Sequence, residues 1–324
     1  MDLLATLPIS LRQLQYIVAI AEHGSFRRAA DACHVAQPSL SAQVGVAERA
    51  LGVQLFERTG RRVRVPPAAQ PLIAQARRIL MAAGDLRELA RQRADPFHGT
   101  LRLGVIPTIC PYLLPDIARP LQRDYPDLRI DWSEERTARL VAQVKDGAID
   151  GAVLALEADL RGLAHEPLGW DPFFLAVAPG HPLARGKKPV TPDVLDQARV
   201  FLLDDGHCFR DQALQLCARA GARETGFRAT SLSTLVQMVS ASGGVTLLPS
   251  IALPVENRHR QLTVRRFAAP GPGRTLALAW RRGSALRVPF GRIAGTMRAA
   301  LASLKSQVSS LKSQVSSLRS QSEI

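Results

Sequence analysis

The four cysteines, Cys33, Cys110, Cys208 and Cys217, are the residues of this 324-residue chain best suited to redox chemistry. None stands in CxxC or CxxH spacing, so neither a metal site nor a cofactor is expected. Cys208 is set apart by its neighbours, lying in the run His207-Cys208-Phe209-Arg210-Asp211 with Cys217 nine positions on. A thiolate is the nucleophile toward a peroxide bond, and cationic or hydrogen-bonding groups such as His207 and Arg210 raise the thiolate share. Attack leaves a sulfenic acid that condenses with a second thiol, and Cys217 is a candidate for that thiol. If the segment is helical, nine residues span about 13 Å, whereas a disulfide needs Cα atoms within about 7 Å. Closing such a bridge would require the segment to refold. A cysteine on an apolar helix face is ordinarily a packing residue, and Cys33 and Cys110 read that way. Cys217, flanked by Leu214 and Leu216, fits the same description. The joint pattern with His207, Arg210 and Asp211 is what favours redox use.

These residues must be positioned by a body, and the chain first spells out a separate head. Leu11, Leu14, Ile17, Val18 and Ala21 recur at helical spacing, Gly24 ends that helix, and Ser25 is a plausible cap for the next. Phe26, Ala29 and Ala30 give the second helix a small packing face, with Arg27 and Arg28 beside it. A third helix starts near Gln37, where Pro38 suits a first turn because its missing N–H has no intrahelical partner there. It turns Leu40, Val44 and Ala47 inward and leaves Gln37, Ser39, Ser41 and Gln43 outside. The arrangement predicts a helix-turn-helix. After it, residues 51–65 read as a loop and a short β-ribbon with Gly60 at the tip. Arg58, Arg61, Arg62 and Arg64 on that wing are placed to follow a phosphate backbone.

A long helix is expected over residues 67–94, with an apolar stripe of Leu72, Ile73, Ala76, Ile79, Leu80, Ala83, Leu86, Leu89 and Ala90. Such a stripe must be buried, and a second copy of the chain is the simplest partner. Residues 95–99 break the helix. Beyond them, apolar runs at 101–106, 128–132, 151–156, 173–178, 199–204, 244–249 and 276–280 alternate with helix-length stretches. They predict an α/β body with largely parallel strands, in which ligands sit at the strands' carboxyl ends. The boundaries are thus 1–66 for a winged helix-turn-helix, 67–98 for a linker and dimerisation helix, 99–302 for the α/β body and 303–324 for a tail. In the tail Leu304, Val308, Leu311, Val315 and Leu318 fall at heptad spacing. Its serine-rich composition gains little from ordering, so a frayed extension is expected rather than a stable coiled coil.

Charge supports a polyanionic partner. The formal net charge is +14 with a sequence pI near 10.8, and cationic side chains release the counterions condensed on phosphates. With 46% hydrophobic and 22% charged residues, a mainly disordered chain is excluded. No run approaches the ~18 apolar residues of a membrane span. The first residues do not read as a secretory signal, so a cytoplasmic location away from membranes is expected.

The stretch LRQLQYIVAIAEHGSFRRAADACHVAQPSLSAQV, the GVQLFER after it, the long helix and the α/β remainder together resemble the LysR-type transcriptional regulators over nearly the whole chain. GVIPTICPYLLP, DDGHCFRDQALQLC and FRATSLSTLVQMVSASGGVTLLP are similar to the peroxide-sensing members of that family. The resemblance implies an all-α winged helix-turn-helix, a linker helix and a regulatory domain of two Rossmann-like subdomains of the periplasmic-binding-protein kind. It implies a homodimer or homotetramer on double-stranded DNA that activates antioxidant genes. It further implies reversible Cys208–Cys217 oxidation by hydrogen peroxide, with RNA polymerase and a thiol reductant as further partners. It places Thr108, Thr137, His207, Arg210, Asp211 and Arg281 around the reactive thiol; read alone, Thr108 is an ordinary helix cap. Ser133 stands where these sensors often carry histidine, and AQVGVAERA lacks the usual Arg-Lys pair. PPAAQ replaces the usual helix start beyond the wing. Two other classes stay open from the residues alone. One is a LysR-type regulator with incidental thiols that binds a small organic anion in the α/β cleft. The other is a thiol peroxidase, for which a DNA-reading head has no use.

Overall fold

The computed structural model describes residues 8–59, 62–92, 97–186 and 188–321, which form two compact units, one up to residue 92 and one from residue 97. In the first, Ser10 and Gln13 cap α1 (Leu11–His23) reciprocally, Ser10 Oγ accepting from the Gln13 N–H and Gln13 Oε1 from the Ser10 N–H. Gly24, at φ +59°, turns the chain out of that helix. Ser25 then caps α2 (Phe26–Ala32), and α3 (Gln37–Leu51) follows with Pro38 in its first turn. Leu14, Ile17 and Ile20 of α1 pack on Ala29 and Ala30 of α2 and on Leu40, Val44 and Ala47 of α3. Glu48 fixes the exit from α3, its Oε1 accepting from the N–H groups of Leu55 at 2.8 Å and Phe56 at 3.3 Å. The wing follows as antiparallel β1 (Glu57–Thr59) and β2 (Arg62–Arg64). Its expected tip, Gly60 with Arg61, lies outside the described residues. The helix anticipated from residue 67 opens as a 3₁₀ turn at Pro67–Ala69 before α4 (Gln70–Gln92).

The second unit runs β3 (Gly99–Val105), α5 (Cys110–Asp124), β4 (Leu128–Glu134), α6 (Thr137–Lys145), β5 (Gly151–Ala155) and β6 (Leu163–Val177). It continues with β7 (Arg199–Leu203), α7 (Cys208–Arg219), β8 (Arg223–Ala229), α8 (Leu232–Ser242), β9 (Val245–Pro249) and α9 (Leu253–Glu256). It closes with β10 (Thr263–Arg266), β11 (Gly273–Arg281) and α10 (Arg287–Gln321). The strand order is β4-β3-β5-β11-β6-β9-β7-β8, with β10 also on β6. The two halves share β6: Leu163–Pro172 pairs with β11, and Phe173–Val177 pairs with β9. The expectation of largely parallel strands is corrected. Pairs β3–β4, β3–β5, β7–β8 and β7–β9 are parallel, but β11 and β6 run antiparallel to their neighbours. These two are the long strands by which the chain crosses between halves and returns, and a returning strand reverses direction.

Each half buries a near-continuous apolar layer, Leu103, Val105, Val153, Leu154, Leu276 and Leu278 in one and Leu175, Val200, Leu202, Leu247 and Leu248 in the other. Phe290, Ile293, Ala294, Met297 and Leu301 bury one face of α10. The repeat tail, anticipated as a frayed extension, instead continues α10 as helix to Gln321. Helix propagation costs little once a packed first segment has supplied the nucleus.

The stripe of α4 is only partly covered. Ile73 and Ala76 are buried in the head's core, with Leu72 and Leu80 packed against it, whereas Ile79 is 41% and Leu86 71% exposed. An apolar residue as bare as Leu86 on a long helix suits self-association. Leu86→Glu should leave the helical content unchanged and lower the self-association constant at least tenfold, about 1.4 kcal/mol. Sedimentation equilibrium measures it, and an unaltered constant would place the dimer contact elsewhere.

Candidate functional site

The carboxyl ends of parallel strands β3, β4 and β7 lead into the segments Ile106–Ile109, Glu135–Thr137 and Asp204–Cys208. Cys208 is the first residue of α7, half-buried, with His207 as the cap position. A helix N-terminus presents N–H groups without intrahelical acceptors, so an anion formed there meets donors. Cys217 lies on the same helix, 4% exposed, and its burial pushes the thiol up to about 11. All four cysteines are free thiols. At 1.5 Å per residue the α7 pair is separated by about 13 Å along the axis, as the sequence spacing anticipated.

The charges around Cys208 differ from expectation. His207 is 5% exposed and held neutral, chiefly by burial, which outweighs the nearby Asp204 carboxylate. Its Nε2 lies 3.1 Å from Asp204 Oδ1, yet neither atom has a well-directed hydrogen bond among the described residues. Arg210 is spent on structure. Its Nε donates to Asp205 Oδ1 (3.0 Å), Nη1 to Leu203 O (2.9 Å) and Glu224 Oε1 (2.8 Å), and Nη2 to Glu224 Oε2 (3.2 Å). The two groups invoked from sequence are therefore a neutral imidazole and a buried guanidinium engaged with carboxylates. Asp211, which the resemblance places around the reactive thiol, is exposed in the first turn of α7, where a carboxylate complements the helix dipole.

Thr108 precedes the cap of α5, which is Ile109, so it is not the ordinary helix cap it resembles in sequence. Instead it meets a guanidinium that sequence reasoning missed. Arg274 Nη1 donates to Thr108 Oγ1 (2.7 Å) and Nη2 to Thr108 O (2.9 Å). Arg274 Nε donates to Asp171 Oδ2 (3.0 Å), both side chains being fully buried. Asp171 Oδ1 accepts from Ser250 Oγ (2.9 Å) and the Ile251 N–H (3.2 Å). The guanidinium carbon lies 5.7 Å from the ring centre of Phe209, the neighbour of Cys208. Arg281, the arginine assigned here from sequence, lies seven residues further along β11, paired with Leu163, and roughly 23 Å away at strand rise. The sequence signal for Arg274 was faint, since it sits in a Gly-Pro-Gly-Arg-Thr run that reads as a turn. Thr137 is the first residue of α6, and its Oγ1 is buried with no hydrogen-bond partner among the described residues. Beside it, Arg136 reaches Asp204 and Asp205 of the loop before Cys208. Cys110 is half-buried against Glu134 and its thiol is pushed up to about 12, mainly by burial.

In the head, Arg27, Arg28, Gln37, Pro38, Ser39 and Gln43 are exposed, and Ser41 is half-buried. Gln43 Oε1 accepts from Gln13 at 3.0 Å, so α1 fixes its orientation. Arg64 is exposed on β2. Arg58 and Arg62 lie on the wing strands, and Arg61 is outside the described residues.

A helical head with a wing, joined in one chain to a two-halved α/β body, is the architecture of a ligand- or signal-responsive DNA-binding regulator. The family model for the bacterial regulatory helix-turn-helix protein of the lysR family matches residues 11–70, and that for the LysR substrate binding domain matches residues 94–302. The chain belongs to the LysR family. It is 43% identical over 291 residues to a hydrogen peroxide-inducible genes activator of Pectobacterium carotovorum subsp. carotovorum, covering 90% of this chain and 96% of that one. It is 42% identical over 294 residues to the DNA-binding transcriptional dual regulator OxyR of Escherichia coli K12, with coverages of 90% and 96%. Among solved structures it is similar to a full-length cysteine-to-aspartate variant of OxyR from Pseudomonas aeruginosa (TM-score 0.74, 34% identity, 90% and 97% covered). It is also similar to a hydrogen peroxide-bound cysteine-to-serine variant of Corynebacterium glutamicum OxyR (TM-score 0.65, 34% identity, 95% and 97% covered).

Two outcomes follow from this geometry. Arg274→Met leaves Asp171 as an uncompensated buried carboxylate and should cost about 3–5 kcal/mol of unfolding free energy, measured by denaturant titration. For His207 the folded-state pKa lies below the ordinary value of 6.5, so the unfolded chain takes up the proton first. Stability tied to neutral His207 is therefore full above about pH 6.5 and lost as pH falls below it. Thermal melts taken between about pH 7.5 and 5.5 should fall more steeply for the wild type than for His207→Asn.

Proposed function

We infer that this chain is a DNA-binding transcription regulator that senses hydrogen peroxide through Cys208 and signals by a reversible Cys208–Cys217 disulfide. The observation that carries the reading is the placement of Cys208: half-buried at the N-terminus of α7, with a second thiol on the same helix. The adjoining α6 carries the buried Thr137 Oγ1, which has no hydrogen-bond partner among the described residues. A buried hydroxyl without such a partner suits a small hydroxylic molecule that both donates and accepts, as hydrogen peroxide does. In the first step the Cys208 thiolate attacks one peroxide oxygen. The S–O bond forms, the O–O bond breaks, and hydroxide leaves, taking up a proton to become water. In the second, the Cys217 thiol attacks the sulfenic sulfur, forming the S–S bond and releasing a second water. One peroxide is thus reduced by two electrons and two thiols are oxidised. Thr108 and Arg274 support the reacting region from beneath. A thiol reductant of the surrounding compartment resets the bridge.

Residues 1–66 serve as the DNA reader. Gln37, Ser39, Ser41 and Gln43 on α3 face base edges, with Pro38 fixing the start of that helix. Arg27, Arg28, Arg58, Arg61, Arg62 and Arg64 lie along phosphates. Residues 67–98 join copies of the chain through α4, and residues 99–302 sense. RNA polymerase is the downstream partner, and the work with DNA places the protein in the cytoplasm.

Mass spectrometry of the full chain after brief exposure to equimolar hydrogen peroxide tests the reading. It should locate a Cys208–Cys217 linkage with loss of two thiols per chain. Cys208→Ser should abolish the oxidative change in DNA binding, and Cys217→Ser should halt at a trappable sulfenic acid. Thiols inert to peroxide would instead favour a regulator answering a small organic anion.

A further inference from the structure

The loop that carries Cys208 is held from the opposite half of the α/β unit. Arg136 is the cap residue of α6, on the β4 side. Its Nη1 donates to Asp205 O at 2.9 Å and its Nη2 to Asp204 Oδ2 at 2.8 Å. A Cβ built on Gly206 would lie 3.1 Å from Arg136 Cδ and Nη1, so the bare α-carbon, at φ +91°, lets the side chain lie flat against the loop. The other cations on this loop come from its own half: Arg210 of α7 and Arg228 of β8 both bind the Asp205 carboxylate. Arg136 therefore clips residues 204–206, immediately before His207 and Cys208, to an element that does not carry either thiol.

We propose that Arg136 is a positioning residue that clasps the loop before Cys208 in its reduced path and so sets how readily the Cys208–Cys217 bridge closes. This rests on the sensor reading above. The mechanism is geometric. Cys208 leaves the first position of α7 only if residues 204–207 change course. The carbonyl of Asp205 and the carboxylate of Asp204 then move away from a guanidinium anchored at α6. A contact made in the starting state and lost on the way out slows departure and favours the state that makes it. Arg136 donates to the loop and not to the sulfur, so it acts on bridge closure and leaves the peroxide step alone.

The test uses the full-length protein with Arg136→Gln and Arg136→Lys. Sulfenic acid formation by hydrogen peroxide, followed by dimedone trapping in a Cys217→Ser background, should match the parent rate within about twofold. With both cysteines present, disulfide closure in Arg136→Gln should be roughly five- to tenfold faster, the size of a partly exposed, charge-assisted contact. The midpoint potential in a thiol–disulfide buffer should move by up to about 30 mV to more negative values, the equivalent of tenfold for a two-electron couple. Arg136→Lys should fall between, because an ammonium keeps the attraction to Asp204 but cannot fork to carboxylate and carbonyl together. An unchanged closure rate and potential in Arg136→Gln, or slower closure, would overturn the clasp. The potential measurement needs no peroxide, so it judges the clasp separately: inert sulfur toward peroxide with a shifted potential sinks the sensor reading and leaves the clasp standing.

Discussion

A helix keeps the two thiols apart. Cys208 and Cys217 open and nearly close α7, and the regular rise of that helix puts their backbones roughly twice as far apart as a disulfide tolerates. Every other feature of the region acts on this separation. The buried fork from Arg210 to Glu224, the Leu203 carbonyl and Asp205 ties the first turns of α7 to β7 and β8. Phe209 is buried against Phe173, with ring centres 5.0 Å apart. An oxidant that reaches Cys208 thus does chemistry on a strained choice: the bond it offers can be made only by dismantling packing. Such an element has two discrete arrangements, which is what a switch requires.

Electrostatics in the same region favour keeping formal charges off the reacting side. His207 is neutral through burial, and the cations nearest in sequence and space are paired: Arg210 with Glu224, Arg274 with Asp171, Arg136 with Asp204. The groups left without intrahelical acceptors at the start of α7 are its backbone N–H donors. Cys217, raised by burial, stays a thiol while packed, so it becomes a competent nucleophile only once it leaves the core. Two thiols nine residues apart are given different environments by one helix, a half-buried start and a buried inner face.

Much of this was legible from the amino-acid order. The three helices of the head, their caps at Ser25 and Gly24, and the inward set Leu40, Val44 and Ala47 followed from periodicity, because each depends on residues close in sequence. The apolar runs marked seven strands, but β8 and β10, rich in charged residues, were missed, and so was strand direction, which depends on partners far along the chain. The site was legible only in part for the same reason. Thr108 and Arg274 are 166 positions apart and meet only through the fold, so a run that reads as a turn concealed the guanidinium, and Arg281 was chosen in its place. Neighbours in sequence misled as well. Arg210 stands two residues from Cys208, yet the helical turn and β8 carry its guanidinium to Glu224. Arg136, sixty-nine positions from Asp205, gave no signal beyond its type.

Strand β6 has a mechanical consequence. It contributes ladder hydrogen bonds to β11 on the near side and to β9 and β10 on the far side, without a break in the backbone. A clamshell motion of the two halves would have to bend this one strand at the Pro172–Phe173 junction, where its partner changes from β11 to β9. Any change of angle between the halves is then absorbed at that junction, one residue from the buried Asp171.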